Sequence, residues 1–248
     1  MLAIKSVNSY GGLGQRVGTT IAVIFVAVAG SAAVGAPTPL QNATATFTQG
    51  GFAVGQSIDG NLGGSSVVNG WAIGGGTGSP QTAVYETQTD VGGIAGASFT
   101  FTLTQNFGQA LTIGKLRFSV TTDVRTSFAD GLDNGGDVTA TWIELTPLTA
   151  LATNGATLTI QGDNSILASG TSPDSSVYTI TASTPVTNIT GLRLETLTDA
   201  SLAGNGPGRG GNFVLQEFGV DAVALVPEPA AGALVLTLAA FLPLFRRR

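Results

Sequence analysis

The segment Ala97-Ser98-Phe99-Thr100-Phe101-Thr102-Leu103-Thr104 alternates strictly between apolar and hydroxyl-bearing side chains. A repeat of two residues is typical of a β-strand that has one face in the protein core and the other in solvent. We therefore predict a strand here, with Phe99, Phe101 and Leu103 buried and the threonines on the opposite face.

Other parts of the chain show the same alternation. Residues 111–121 place Leu116, Phe118 and Val120 on one face after a break at Gly114. In residues 138–143, Val138, Ala140 and Trp142 alternate with Thr139, Thr141 and Ile143, which predicts another strand. Further predicted strands are residues 82–88, 156–161, 177–182, 191–197 and 212–218.

Turn-forming residues separate the predicted strands. Two clusters, residues 130–137 and 204–208, are rich in glycine, asparagine and aspartate, which favour turns. No run of ten or more residues between positions 36 and 225 carries apolar residues at helical spacing. Eight or more short strands without helices predict an all-β domain over residues 36–225, an antiparallel jelly roll or β-sandwich.

The composition of residues 36–225 excludes several kinds of function. This segment contains fourteen acidic and five basic side chains, which gives it a formal net charge of −9. A surface with this charge repels nucleic acid phosphates. The chain has no cysteine and no histidine, so it has no disulfide, no thiolate nucleophile and no imidazole base. Hydrolysis of a polysaccharide by paired carboxylates remains an alternative. However, the acidic residues are scattered, and we expect a protein that is not an enzyme and needs no cofactor.

The two ends of the chain read as targeting segments. Lys5 and Arg16 precede an apolar run at residues 21–30 and small residues at 31–36, a pattern typical of a secretory signal peptide covering residues 1–35. A retained N-terminal anchor is the alternative. Residues 230–245 carry no charge and would rise about 24 Å as a helix, enough for one short transmembrane span. The arginines that follow tend to stay cytoplasmic, which places the rest of the chain on the exported side.

The C-terminal segments follow one another in a characteristic order. Val226-Pro227-Glu228-Pro229 leads into the apolar span, which ends at Arg246-Arg247-Arg248. This order resembles the PEP-CTERM sorting signal of Gram-negative and planctomycete-type bacteria. The resemblance implies a precursor that uses the export machinery and signal peptidase and is held transiently in the inner membrane. It also implies that an exosortase-type transpeptidase cuts this precursor near the Pro-Glu-Pro motif and passes it to the cell envelope or extracellular matrix. An ordinary C-terminal membrane anchor is the alternative.

The predicted β domain carries a second resemblance. Residues 45–52, 57–60 and 70–73 are similar to the opening of a galactose-binding-like (discoidin, F5/8 type C) jelly roll. Residues 155–160, 165–170, 191–195 and 208–218 are similar to a module of large planctomycete surface proteins, where it accompanies cytochrome-like domains. This chain has no Cys-x-x-Cys-His motif, so no haem function carries over. The resemblance implies a fold more firmly than a function.

Four residues are candidates for ligand binding. Sugar-binding jelly rolls use exposed aromatic rings together with arginine and aspartate on loops, which makes Trp71, Arg125, Arg209 and Asp59 the candidates. Trp71 has an alternative role, because the corresponding tryptophan of discoidin-like modules more often fills the core. The two arginines have the alternative of being ordinary surface charges.

Hard oxygen ligands cluster at Asp130, Asp133, Asn134 and Asp137, which predicts a possible Ca²⁺ loop. The spacing departs from the EF-hand pattern and no glutamate closes the loop, so a solvated turn is the alternative. Asp59 and Asn61 form a second possible calcium position by resemblance to related jelly rolls. Residues 206–211 match a dinucleotide fingerprint formally, but a strand-like segment follows where a helix is needed, so we predict a tight loop.

Two functional hypotheses follow. In the first, the β domain is a binding module for an extracellular glycan or a surface-protein partner. In the second, the acidic domain is structural material of the envelope or biofilm matrix and has no discrete ligand.

Overall fold

A computed structural model describes residues 35–227, and these residues form fourteen β-strands and three short 3₁₀ turns. The predicted signal peptide up to residue 34, the span at residues 230–245 and the motif residues Glu228, Pro229 and Arg246 to Arg248 lie outside the described residues. Within residues 35–227, no helix has the length and apolar character needed to cross a membrane. The 3₁₀ turns are Val54–Ile58, Arg125–Ser127 and Ala203–Asn205. The strands are β1 (Ala36–Pro37), β2 (Leu40–Ala45), β3 (Trp71–Ala72), β4 (Gln81–Val91), β5 (Ala97–Gln105), β6 (Lys115–Thr121), β7 (Ile143–Glu144), β8 (Thr146–Ala152), β9 (Ala156–Ile160), β10 (Ile166–Gly170), β11 (Ser176–Thr184), β12 (Ile189–Thr196), β13 (Val214–Leu215) and β14 (Glu217–Ala224).

The strands form two large sheets in which neighbouring strands are antiparallel. One sheet has the order β1-β14-β5-β11-β8, and the other has the order β2-β4-β12-β6-β10-β9, with β7 also pairing with β6. A small third sheet pairs β3 with β13. The prediction of an all-β domain with antiparallel sheets is confirmed, and the architecture is a β-sandwich.

Aromatic rings from both large sheets fill the space between them. Phe99, Phe101 and Leu103 of β5 are buried, as the alternation predicts, and Thr100 and Thr102 between them are half-buried on the other face. The ring of Phe101 stacks on that of Phe118 from the opposite sheet, with centroids 4.1 Å apart. Burial of large aromatic side chains is a main source of stability in a core of this kind.

The predicted strand at residues 138–143 is wrong, apart from the two residues Ile143–Glu144 that form β7. Val138, Ala140 and Trp142 do share one side, but they pack on Phe128 and other residues of a second apolar cluster. The indole N–H of Trp142 donates to the carbonyl oxygen of Val138 at 2.9 Å, so the segment closes on itself and does not pair along a sheet. Side-chain periodicity predicted the buried face correctly and the backbone pairing wrongly.

The bounds of the other predicted strands agree with the structure within a few residues, except that one predicted strand is divided into two. Residues 212–218 are interrupted at Gln216 and contribute β13 and β14 to two different sheets. The strands β2, β8 and β10 were not among the strands predicted from alternation. In β8 the register shifts beside Thr181 of β11, and this irregularity breaks the two-residue pattern.

Candidate functional site

A long loop, residues 122–142, folds over the outer face of the seven-stranded sheet. Phe128 from this loop packs on Val84 of β4, and its ring meets that of Trp142 edge to face with centroids 5.7 Å apart. Gly191 of β12 makes this approach possible, because a Cβ atom at that position would collide with the Phe128 ring. The loop is therefore held against the sheet, and a cleft forms beside it.

We call this cleft, which has a volume of about 320 Å³, the Glu86 cleft. It lies between β2, β4 and the covering loop, and most of its lining residues are polar, with Phe128 and Ala129 as the apolar ones. Ala83 and Tyr85 point into the main core, so Glu86 points to the outer face of the sheet. The lining residues that carry hydrogen-bonding or charged side chains include Gln41, Asn42, Glu86, Arg125, Asp130 and Asp137.

Glu86 forms the base of the cleft and is only 5% exposed. Its Oε2 accepts a hydrogen bond from Nε2 of Gln41 at 2.9 Å, and its Oε1 accepts one from Nδ2 of Asn42 at 3.1 Å. Nδ2 of Asn42 also donates to the carbonyl oxygen of Ala129, which ties β2 to the covering loop. A buried carboxylate requires such donors, because an unpaired charge away from water is costly.

Arg125 lies at the rim of the cleft and is fixed by three hydrogen bonds. Its Nε donates to the carbonyl oxygen of Thr87 at 2.7 Å, and its Nη2 donates to Thr87 Oγ1 at 3.1 Å. Nη2 also pairs with Oδ1 of Asp90 at 2.8 Å. Nη1 takes part in none of the hydrogen bonds found among residues 35–227. Arg125 is therefore held in one orientation at the rim, and Nη1 is its one nitrogen without a partner among these residues.

Asp130 and Asp137 also line the cleft, and their carboxylates hold the covering loop in shape. Oδ1 of Asp130 accepts from the backbone N–H of Leu132 at 3.0 Å, and Oδ2 accepts from that of Asp137 at 3.0 Å. Oδ1 of Asp137 accepts from the backbone N–H of Thr139 at 2.9 Å. These bonds are typical of aspartates that stabilise turns.

The four residues of the predicted calcium loop do not gather around one point. Asp133 Oδ1 accepts from the backbone N–H of Val54, and Asn134 Oδ1 accepts from that of Thr48, each on a segment remote in sequence. Within residues 35–227, no group of three or more acidic side chains is arranged to hold a metal ion. These four side chains accept hydrogen bonds from backbone N–H groups, which is the geometry of a turn.

Trp71 requires a correction as a ligand-binding residue. Its side chain is fully buried, its Nε1 donates to the carbonyl oxygen of Phe47 at 2.9 Å, and its ring meets Phe213 edge to face at 5.0 Å. A buried ring offers no face to an external sugar. The alternative role of Trp71, a core residue, is the one that the structure shows.

Asp59 and Arg209 lie outside the Glu86 cleft. Oδ1 of exposed Asp59 accepts from the backbone N–H of Asn61 at 2.8 Å, which shapes the turn there. Nη2 of Arg209 donates to the carbonyl oxygen of Gly170 at 2.6 Å, and Nη1 donates to that of Thr171. Residues 206–211 form short bridges between backbone segments and no helix, as predicted. Of the four ligand candidates, the structure places only Arg125 in this cleft.

No binding role was predicted for buried Glu86 or for exposed Gln41 and Asn42, although an acidic residue on a strand with apolar neighbours is a usable signal. Arg125, Asp130 and Asp137 were predicted as parts of separate sites, whereas the structure brings them to one cleft. No protein-family model matches this chain, and no curated protein matches it significantly.

Proposed function

We propose that this chain is an exported, non-catalytic surface or matrix protein whose body binds an extracellular glycan through the Glu86 cleft. The observation that carries the proposal is the pairing of fixed acceptors and donors in one cleft, with Glu86 and Asp130 beside Arg125, Gln41 and Asn42. Sugar hydroxyls both donate and accept hydrogen bonds, so a mixed lining suits them. The volume of about 320 Å³ lies at the small end of ligand pockets and suits a short segment of a glycan.

The hydrogen bonds in the cleft support binding over catalysis. Both oxygens of Glu86 accept hydrogen from amide groups, and both oxygens of Asp130 accept hydrogen from backbone N–H groups. These bonds hold both carboxylates in fixed orientations, and we propose that they position a ligand and transfer no proton.

The proposed fold is a galactose-binding-like jelly roll, a finer assignment than the β-sandwich. It is supported by the resemblance of residues 45–73 and by the burial of Trp71, the role that the corresponding tryptophan usually has in discoidin-like modules. In this proposal the partner is an extracellular glycan, and a surface protein is the second possibility.

Full-length protein on a glycan array tests the binding proposal. Arg125→Gln and Glu86→Gln should each weaken saturable glycan binding, because both remove charge-assisted hydrogen bonds in the cleft. Arg209→Gln is the matched control, since Arg209 lies outside the cleft, and it should bind as the unmodified chain does. Equal binding by all three variants would exclude the Glu86 cleft as the glycan site.

The proposed route to the surface is through the C-terminal signal. Residues 1–35 are removed during export, the span at residues 230–245 halts in the inner membrane, and an exosortase-type transpeptidase cuts near Val226-Pro227-Glu228-Pro229. Arg246, Arg247 and Arg248 hold the end of the chain on the cytoplasmic side.

Charge substitutions at the end of the chain test this route. Replacing Arg246 to Arg248 with glutamine should leave an unprocessed precursor in the membrane, whereas replacement with lysine keeps the positive charge and should allow processing. Glu228→Ala should also block processing. Immunoblots of membrane and extracellular fractions follow the two forms, and normal maturation of the glutamine and Glu228→Ala variants would contradict the route.

The alternative is a structural envelope or matrix protein without a discrete ligand. One observation favours it: Asp130, Asp133, Asn134 and Asp137 all bond to backbone N–H groups, so these side chains have a complete structural explanation. Absence of saturable glycan binding at high protein concentration would support this alternative.

A further inference from the structure

We propose a second ligand site in this chain, for an uncharged, hydroxyl-rich ligand such as a neutral sugar. The site is a cleft of about 400 Å³ that we call the Phe107 cleft. Its lining combines one aromatic ring with amide and hydroxyl side chains and a single carboxylate. The side chains that give the cleft this character are those of Ser65, Asn106, Phe107, Gln109, Asp174 and Ser175.

The Arg125 rim of the Glu86 cleft and the Phe107 cleft lie toward opposite ends of the sandwich. A tight turn, in which the backbone N–H of Gly93 bonds to the carbonyl oxygen of Gly96, joins the end of β4 to the start of β5. Strand β6 runs in the same direction as β4, because both are antiparallel to β12 between them. Arg125 follows β6 and so lies at the end with the tight turn, whereas Asn106 follows β5 and lies at the other end.

The Phe107 cleft is held in shape by buried hydrogen bonds. Gln216 is fully buried, and its Oε1 accepts from the backbone N–H of Asn106 at 2.8 Å while its Nε2 donates to the carbonyl oxygen of Gly64 at 3.0 Å. The side-chain amide of Gln216 thereby holds two walls of the cleft, the backbone at Asn106 and the backbone at Gly64. On the third side, Oδ1 of Asp174 accepts from the backbone N–H of Ala110 at 3.2 Å.

The backbone around this cleft is strained. Ser66 and Gln109 line the cleft, and Ala110 follows directly; all three have left-handed φ values, 59°, 58° and 56°. Residues other than glycine adopt this conformation only where the surrounding structure enforces it, and such positions concentrate at binding sites. Because the Gln216 hydrogen bonds hold the walls in place, a ligand would bind with little ordering of the loops, which favours affinity.

The lining selects for an uncharged ligand with an apolar face. The half-buried ring of Phe107 meets Phe52 edge to face, with centroids 5.7 Å apart. Its remaining exposed surface can contact the C–H face of a sugar ring. Asn106, Gln109 and the serines offer neutral donors and acceptors. Asp174 is the only charged residue among the lining residues, and it would repel a carboxylate or sulfate on the ligand.

Two clefts at opposite ends give one chain the geometry of a cross-linker. If the Glu86 cleft also binds a glycan, a single molecule joins two glycan chains, and this consequence depends on the proposed function. The Phe107 cleft itself does not depend on it, because its lining and its position are separate from those of the Glu86 cleft.

The test is calorimetric titration of the full-length chain with neutral gluco-, galacto- and manno-oligosaccharides and with uronic acid oligosaccharides. The protein is kept in a detergent without a sugar headgroup. We expect saturable binding of at least one neutral oligosaccharide and none of the uronic acid series at this cleft. Phe107→Leu keeps an apolar side chain but removes the aromatic ring. It should lower the affinity for the neutral oligosaccharide about five-fold, which corresponds to about 1 kcal/mol for an aromatic contact.

Two further variants separate the possible outcomes. Phe47→Leu, at a half-buried phenylalanine that lines neither cleft, is the matched control and should bind normally. Asp174→Asn keeps an acceptor for the Ala110 N–H and should relieve the exclusion of uronic acids. Absence of any neutral ligand, or loss of neutral binding in Arg125→Gln but not in folded Phe107→Leu, would overturn the proposal. Arg125→Gln and Glu86→Gln test the Glu86 cleft separately.

Discussion

Glu217 should make the stability of the folded domain depend on pH near neutrality. Burial raises the pKa of this carboxyl group from 4.5 to about 7, opposed by a hydrogen bond from the backbone N–H of Gly60 and reinforced by the negative charge of Asp59. The Gly60 bond to Oε2 is 3.1 Å long and ties the turn before β3 to the first residue of β14. The carboxyl group therefore titrates at the point where a loop is attached to the sandwich.

The direction of the effect follows from proton linkage. Between about pH 4.5 and pH 7 the folded chain keeps a proton on Glu217 that the unfolded chain has lost. The stability contributed by this proton is fully present below about pH 4.5, the pKa in the unfolded chain. It is lost as the pH rises through about 7, the pKa in the folded chain. The full shift would correspond to about 3 kcal/mol at about 1.4 kcal/mol per pKa unit, and because the group is partly exposed we expect about 1 kcal/mol.

Urea unfolding of the full-length chain at pH 5 and pH 8, followed by tryptophan fluorescence, measures this effect. The unmodified chain should be less stable at pH 8 by about 1 kcal/mol. Glu217→Gln cannot titrate but can still accept the Gly60 hydrogen bond, so it should lose most of that difference. Asp163 and Asp199 should not contribute to the difference in stability between pH 5 and pH 8. Hydrogen bonds from serines lower the pKa of both carboxyl groups, so they affect stability only in more acidic solution. An unchanged pH dependence in Glu217→Gln would refute the reasoning.

Two further predictions concern packing. Phe101→Ala should lower the free energy of unfolding by about 3 to 5 kcal/mol, because it empties the centre of the stacked rings between the sheets, whereas Phe101→Leu should cost clearly less in the same urea titration. Gly191→Ala should cost about 1 to 3 kcal/mol, because the added methyl group displaces Phe128. Adding Phe128→Leu should give a smaller loss than the sum of the two single changes, and strict additivity would show that the loop does not rest on Gly191.

The sequence was most informative where packing and strand pairing obey the same two-residue period. In β5, Phe99 and Phe101 alternate with threonines, and both the strand and its buried face were predicted correctly. At residues 138–143 the same two-residue alternation indicated which side chains are covered but did not indicate strand pairing, because Trp142 packs on the outer face of a sheet. The Trp142 ring also lies 5.3 Å from the guanidinium group of Arg193. A periodic pattern shows that one side of a segment is covered, and it does not show whether the backbone pairs with another strand.

The Glu86 cleft could be predicted only in part, because it is assembled by contacts distant in sequence. Glu86 meets Asn42, which is 44 positions away, and the Asn42 amide meets the carbonyl group of Ala129, 87 positions away. No local pattern encodes such contacts. Asp130 and Asp137 were predicted as calcium ligands from their spacing, but spacing alone does not distinguish a metal ligand from a carboxylate that accepts hydrogen bonds from backbone N–H groups.

The basic side chains of the folded domain narrow the kinds of ligand that it should bind. Residues 35–227 contain fourteen acidic and five basic side chains. Arg209 donates to two backbone carbonyl oxygens, and the other four basic side chains form ion pairs with carboxylates: Lys115, Arg117, Arg125 and Arg193. A polyanion binds by displacing counterions from basic groups, and here it would first have to break these pairs. We therefore expect neutral glycans to bind in preference to nucleic acid or sulfated polysaccharide, and this preference should persist at low salt, where electrostatic binding of polyanions is strongest.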